Sequence, residues 1–394
     1  MTWTGKGKLA FTGVGFSPIE RNSTRRLSEF AEIAIDNALK DSGIERGEVD
    51  GLATFHLDSG GQRDGLDLVS PDYVMSSLRL PNVRWSCDLR GGMVTSAVVQ
   101  AALAVLGGAC ECAVVWRAMG QPAKKVDRAN LPALRYVAGP AQFSEPWGCS
   151  TGIQWHALAF RRYLEQFSLS RDKLAALVLA SRFNATLNEN AIFNDRPLTA
   201  NDYRDARTVS DPLSLVDCDM PVHACAAIVI TTAARARSLK RPPAYLAGFS
   251  QNTSTGSDSL HYSLADYFDL GRRTADRLWR ETGLQAGDMS GAMLYDGFAP
   301  SVVYWLEGAG FCERGEGLDF LQNGNIALGG RLPVNTFGGS LGQGRLHGMG
   351  HLAEAVLQVS RRAGPRQIRA PHAVCVFAGS PMYYGSGMVV TAEP

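Results

Sequence analysis

The sequence predicts an α/β protein built from two repeated halves, and three observations carry that expectation. First, Phe30–Thr54 and Leu270–Leu294 align without a gap. Gly43 falls on Gly283, Ile44 on Leu284, Gly47 on Gly287, Glu48 on Asp288, Val49 on Met289 and Gly51 on Gly291. Second, each copy reads as an amphipathic helix, a glycine stop, an acidic-capped turn and a strand. Third, each copy is followed by a Gly-Gly loop, a helix and an apolar strand. The same pieces in the same order point to duplication.

The elements follow in order. A short apolar strand, Leu9–Phe16, precedes the first repeat helix, and Ala244–Phe249 precedes the second. Downstream of the first copy come Gly91-Gly92, a helix over Val94–Leu106 and a strand over Cys112–Trp116. Downstream of the second come Gly338-Gly339, a helix over Leu352–Ser360 and a strand over Ala373–Ala378. A segment from about Gln121 to Arg207 has no counterpart in the second copy. It carries helical runs at Leu158–Phe167 and Leu174–Arg182, and it suits either a substrate cover or a dimerisation arm. The expected division is residues 1–240, with the insertion at about 121–207, and residues 241–394.

Bulk properties exclude several classes. The chain has 394 residues, 45% apolar and 20% charged, with a net charge of +1. No global field or basic block favours nucleic acid or an anionic membrane. No apolar run reaches membrane-spanning length, and no signal-peptide core opens the chain. The eight cysteines include no C-x-x-C pair and lie among apolar or small residues. They read as reduced, buried thiols of a cytoplasmic protein.

Chemistry concentrates in Asn335–His351, N-T-F-G-G-S-L-G-Q-G-R-L-H-G-M-G-H. Glycines let a substrate approach the backbone, and the following helix start offers unpaired N–H donors. Gly338 and Gly339 are therefore candidate substrate-binding positions, with Arg345 and His347 the polar side chains of the loop. His347 suits donation to a carbonyl oxygen or proton transfer, or a helix-start bond to backbone. The spacing of His347 and His351 matches two metal ligands, but no third ligand lies nearby and no metal is expected. The loop lacks the G-K-[ST] of a phosphate-binding P-loop.

The duplicated layout, the N-x-x-G-G loop and L-Y-D-G-F at Leu294–Phe298 resemble the thiolase superfamily, in its sterol-carrier and lipid-transfer-protein branch. The resemblance covers nearly the whole chain. It implies a five-layered α-β-α-β-α fold and an acyl-CoA substrate. Where a thiolase carries its nucleophilic cysteine this chain has Gly91, with Cys87 four residues earlier. Where a thiolase carries its second-loop histidine it has Arg345. Tyr295-Asp296-Gly297-Phe298 replaces the H-D-C-F of sterol-carrier thiolases. These losses, with L-H-G-M at Leu346–Met349, look like the steroid side-chain-cleaving aldolases of that branch, which often have tyrosine where this chain has Arg345.

The resemblance implies retro-aldol cleavage of a branched β-hydroxyacyl-CoA, releasing a short acyl-CoA and a ketone without an acyl-enzyme. Tyr295 is the leading acid/base. A phenol has a pKa of about 10, which a nearby Arg345 is expected to lower; Arg345 would otherwise bind substrate carboxylate or CoA phosphate. Asp296 would orient a neighbour or cap the strand end. The Gly91-Gly92 amides would stabilise enolate charge, and His56 and Tyr383 would line the pocket. Tyr262 and Tyr267 are weaker pocket phenols. No cofactor is implied beyond CoA as part of the substrate. The implied assembly is a homodimer with an OB-fold/zinc-ribbon partner subunit. The alternatives are a catalytically silent scaffold or lipid-binding subunit, and an acyltransferase using Cys87.

Overall fold

A computed structural model describes residues 3–56, 58–59, 62–63, 69–90, 94–120, 142–149, 151–253, 264–381 and 384–394. Its main strands are β1 (Leu9–Phe16), β2 (Gly51–His56), β3 (Trp85–Arg90), β4 (Cys112–Met119), β5 (Ala224–Thr232), β6 (Ala244–Thr253), β7 (Gly291–Leu294), β8 (Ala373–Ala378) and β9 (Tyr384–Thr391). The main helices are α1 (Leu27–Ser42), α2 (Pro71–Leu78), α3 (Val94–Leu106), α4 (Gly152–Phe167), α5 (Ala175–Thr186), α6 (Leu264–Thr282), α7 (Pro300–Gly308) and α8 (Met349–Val359).

Among the described residues these strands form one mixed sheet in the order β7-β8-β9-β6-β1-β5-β4-β2-β3. The two halves mirror each other about β1 and β6. Outward from β1 come the fifth, fourth and second strands of the first half, and outward from β6 come their second-half counterparts. β1 and β6 pair antiparallel over only two positions, Ala10 with Tyr245 and Phe11 with Ala244.

The repeat extends to atomic detail. Gly43 ends α1 with φ +72°, and Gly283 ends α6 with φ +71°. Each donates its N–H to the carbonyl four residues back, Leu39 and Trp279. Neither Cβ position meets an atom within 4 Å, so the left-handed backbone alone accounts for glycine there. A turn with a reciprocal capping box then follows in both copies, Glu45 with Glu48 and Gln285 with Asp288.

Side-chain alternation along the strands sorts the apolar residues into three main cores. The central core joins α3 and α8 to one face of both strand sets, including Phe55, Val115, Ile228, Val376 and Met388. An outer core packs α1 and α2 on the opposite face of the first half through Leu52, Val114, Trp116 and Val229. The other outer core packs α4, α5, α6 and α7 on the second half through Leu294, Phe377 and Val389. The layering is thus α-β-α-β-α. α8 is buried almost all round, as a helix packed between the two halves of the sheet must be. Its polar residues His351, Glu354 and Gln358 are buried too, each hydrogen-bonded within the fold.

One element departs from the repeat. β3 pairs parallel with β2 over six positions, yet its counterpart is a single parallel bridge between Ala292 and Val334. The next residue, Asn335, replaces the missing ladder with its side chain. Its Oδ1 accepts from the Leu294 N–H at 2.8 Å and its Nδ2 donates to the Leu294 carbonyl at 2.7 Å. Asn335 has φ +46°, which asparagine tolerates better than most residues. Asn335→Ala leaves two buried backbone groups without partners. It should cost about 2–4 kcal/mol, with Asn335→Asp in between, as read by equilibrium urea denaturation.

Candidate active site

Three segments meet at the C-terminal end of β7. The first is Tyr295–Phe298, leaving β7. The second is the loop Asn335–Gly348 with its helical turn Gly339–Gly342. The third is Asp217–Met220, on the approach to β5. Backbone bonds lace them together. The Asp219 N–H donates to Gly297 at 3.1 Å, Met220 to Ser340 at 3.2 Å, and Arg345 to Met220 at 2.9 Å. Cys218 bridges Phe298 antiparallel.

Asp296 is the knot. It has no solvent exposure. It accepts from the Ser340 N–H at 2.7 Å and the Leu341 N–H at 3.2 Å, and His351 Nε2 lies 3.0 Å from its Oδ1. A Cβ on Gly339 would lie 1.9 Å from Asp296 Oδ2, and one on Gly338 would meet Ala185 of α5 at 2.9 Å. These glycines admit a buried carboxylate and a packed helix. Asp296 anchors the loop, with its oxygens already engaged.

Tyr295 stands at the mouth of this knot, half-buried. Its ring and hydroxyl lie over Gly297, where a Cβ would come within 2.8 Å of the hydroxyl. Burial, then Asp219, raise its pKa above the usual phenol value; Arg345 and Arg117 pull the other way and lose. The expected lowering by Arg345 is therefore overturned. A guanidinium is present, but desolvation and the Asp219 carboxylate outweigh it.

Arg345 lies on the loop with Nη1 3.6 Å from Asp219 Oδ1, and its buried Nε has no hydrogen-bond partner. Asp219 is pushed up to about 6, by burial first, with Arg345 lowering it and Asp296 raising it.

His347 adopts φ +48° just ahead of α8. Its Nδ1 sits 3.1 Å from Arg117 Nη2. Arg117, fully buried in β4, also donates to the Phe55 carbonyl at 2.7 Å and lies 4.5 Å over the Phe55 ring. A guanidinium has no acceptor, so His347 Nδ1 must accept and Nε2 must carry the hydrogen. Burial, then Arg117 and Arg345, hold His347 well below its usual pKa. It is a neutral imidazole with a fixed donor edge.

The insertion's described part buttresses the loop. Asn184 of α5 donates to the Asn335 carbonyl at 3.2 Å, and Asn188 to the Phe337 carbonyl at 2.9 Å. The His156 ring of α4 lies 4.3 Å from the Phe298 ring.

His56 ends β2 with Nε2 3.1 Å from Asp88 Oδ1 on β3. Tyr267 packs 4.8 Å from Tyr304 in an outer core rather than at this site. Gly91, Gly92, Tyr262 and Tyr383 lie outside the described residues. Cys87 lies within β3 rather than at a helix start. All eight thiols are raised above the usual value, burial being the leading cause in each. A nucleophilic cysteine needs the opposite shift, so the Cys87 acyltransferase reading loses its chemical basis. Among the described residues no cluster of three His, Cys, Asp or Glu is placed to hold a metal. His347 and His351 turn to different partners.

Asp219 and Arg117 are the site residues that motif reading misses. Each had a signal. Arg117 is a lone charge in an apolar strand, and Asp219 sits between apolar stretches in L-V-D-C-D-M-P-V.

Fold and site together define a thiolase-type chain in which a phenol, an imidazole and an Arg–Asp pair bear on one another electrostatically. The family described as thiolase C-terminal domain-like matches residues 256–391. A steroid side-chain-cleaving aldolase of Thermomonospora curvata is 32% identical, over 89% of this chain and 90% of that protein. A 17-hydroxy-3-oxo-4-pregnene-20-carboxyl-CoA lyase of Mycobacterium tuberculosis is 31% identical, over 95% and 97%. A solved structure described as an Ltp2-ChsH2(DUF35) aldolase superposes with a TM-score of 0.86 at 31% identity, covering 98% of each chain. The chain belongs to the thiolase-fold family of steroid side-chain-cleaving aldolases.

His156 is held down to about 3 by burial alone. The unfolded chain takes up that proton below about pH 6.5 while the folded chain does not. Stability is full above about pH 6.5. Below it this histidine removes on the order of 1.4 kcal/mol per pH unit, down to its folded pKa. His156→Phe should flatten the acid side of the stability profile by about one proton, as read from denaturation midpoints between pH 4 and 8.

Proposed function

We propose that the protein catalyses retro-aldol cleavage of a branched β-hydroxyacyl-CoA, of the steroid side-chain type, releasing a short acyl-CoA and a ring ketone. The observation that carries this reading is the convergence of Tyr295, from the segment leaving β7, with Arg345 and a tautomer-fixed His347 of the glycine-rich loop, in a chain whose thiols are all held protonated. Retro-aldol cleavage needs no covalent intermediate. It needs a route for the β-hydroxyl proton, fixed donors at the thioester oxygen and a proton for the carbon left behind.

His347 Nε2–H suits the thioester oxygen. It is a neutral donor, so it stabilises enolate charge without surrendering a proton to water. Its orientation is set in advance by Arg117, which is the condition for electrostatic stabilisation without reorganisation. Tyr295, a phenol kept protonated at neutral pH, suits the β-hydroxyl as a proton conductor rather than as a phenolate base. Arg345 supplies positive charge beside them. Asp296 contributes by position, since its oxygens are bound. Gly91, Gly92 and Tyr383 complete the proposed substrate wall, and His56, tied to Asp88, its edge. The proposed chemistry calls for no metal or cofactor beyond the CoA carried by the substrate.

The assembly we propose is a homodimer that works with an OB-fold/zinc-ribbon partner subunit. Two features support it: β3 is an outermost strand of the sheet, and the similar solved aldolase pairs two named components. No described helix is long and apolar enough to cross a membrane. Eight free thiols support a cytoplasmic setting.

Incubation with a steroid bearing a tertiary β-hydroxyacyl-CoA side chain, with the partner subunit present, should yield a short acyl-CoA by mass spectrometry. Absence of product from every such thioester would leave a binding or scaffold role instead. Tyr295→Phe should lower kcat by about 100-fold or more, and undiminished turnover would remove Tyr295 from the chemistry. His347→Ala should lower kcat by a similar factor with little change in KM, as expected for a donor used mainly in the transition state.

A further inference from the structure

Asp219 and Arg345 form a buried ion pair that is left unfinished. Their closest approach is 3.6 Å, and the side chains are 8% and 18% exposed. Buried charges are normally saturated with hydrogen bonds, because desolvation costs several kcal/mol per ion. Asp296, a few residues away in space, is saturated. By contrast, the Asp219 carboxylate meets Arg345 only at ion-pair distance, and Arg345 Nε is unpartnered. The pair is shaped to receive a third group.

Its position says which group. Asp219 donates its N–H to the Gly297 carbonyl, and the Tyr295 hydroxyl lies over Gly297. Among the charges that bear on Tyr295, Asp219 acts most strongly. The other polar groups are disqualified as proton acceptors. Arg117 and Arg345 are permanent donors. His347 has its Nδ1 engaged by Arg117 and its Nε2 already protonated. Asp296 is tied to two amides and His351.

We infer that Asp219 is the acid–base group of the proposed cleavage, linked to the substrate hydroxyl through Tyr295, with Arg345 as its counter-ion. This rests on the retro-aldol reading. The β-hydroxyl O–H bond breaks, its proton passing to Tyr295 as the Tyr295 proton passes to Asp219. The ketone C=O forms, the Cα–Cβ bond breaks, and its electron pair enters the thioester enolate, held by His347. Asp219 then returns the proton by the same path to Cα. Protons and electrons balance, and no oxidant or co-reactant is consumed.

The titrating environment of Asp219 consists of Arg345 from the loop, Asp296 and Tyr295 from the segment after β7, and neighbouring Cys218. With its carboxyl pushed up to about 6, kcat/KM should rise with pH through an acidic limb near that value, because the ionised form is the acceptor. Arg345→Met removes the influence that lowers it, so the limb should move to higher pH. Asp219→Asn should abolish the limb and reduce kcat by about 100-fold or more, with Asp219→Glu recovering part of the rate. Binding of a thioester analogue lacking the β-hydroxyl, followed by calorimetry, should change by no more than a few-fold in Asp219→Asn.

Wild-type cleavage with an Asp219→Asn variant that keeps both rate and limb would overturn the assignment. So would an Arg345→Met limb that stays in place, which covers the case of a misfolded Asp219 variant. Failure of the wild type to cleave any such thioester tests the parent reading separately.

Discussion

The site depends on one carboxylate with no access to water. Asp296 is buried and satisfied by two amides of a single helical turn and by a histidine from the central helix. Such a group is tolerated only with all of its partners in place. It therefore fixes three things at once. Gly339 must lack a Cβ, because that volume is occupied by the Asp296 carboxylate. α8 must present His351 at its first turn. The segment leaving β7 must turn at Gly297, which brings Tyr295 back over it. Arg345 and His347 inherit their positions from the same loop. Catalytic groups placed this way are held by the fold's own polar satisfaction rather than by loop preference, which is how a site gains the sub-ångström order that chemistry needs.

Around that knot the electrostatics favour protonated thiols and phenols and a neutral imidazole. Burial raises every cysteine and Tyr295 and depresses His347. A covalent thiolase mechanism requires a thiolate, and the same surroundings would oppose one. Proton conduction through neutral hydroxyl and carboxyl groups is compatible with them.

The repeat was legible because its signals are local. Gly43 and Gly283 stop their helices in the same left-handed conformation, and matched capping boxes follow. The vanished third strand of the second half was not legible. Asn335 supplies its hydrogen bonds from a side chain, and asparagine in a glycine-rich stretch reads as loop. Likewise the loop and Tyr295 were found as contiguous motifs. Arg117 and Asp219 act across the fold and stand alone in their segments, so only their incongruity marked them. The direction of the Tyr295 shift was misjudged because sequence shows the neighbouring guanidinium motif but not the depth of burial.

Arg345 is a guanidinium on the site loop with its side chain only 18% exposed. A permanent cation at a buried position cannot be accommodated alone. Its desolvation must be offset by a counter-charge near enough to interact and loose enough not to be consumed. Asp219 meets both conditions at 3.6 Å. With Arg117 and Asp296 the site then carries two guanidinium and two carboxylate groups, balanced before substrate arrives. In the proposed cleavage, negative charge on a thioester oxygen and a proton on Asp219 would shift that balance by one unit towards the cations, where the enolate needs them. A tyrosine at position 345 would offer a second hydroxyl for proton transfer. Arginine offers a counter-ion instead, and in the proposed cleavage the neighbouring carboxylate carries the proton.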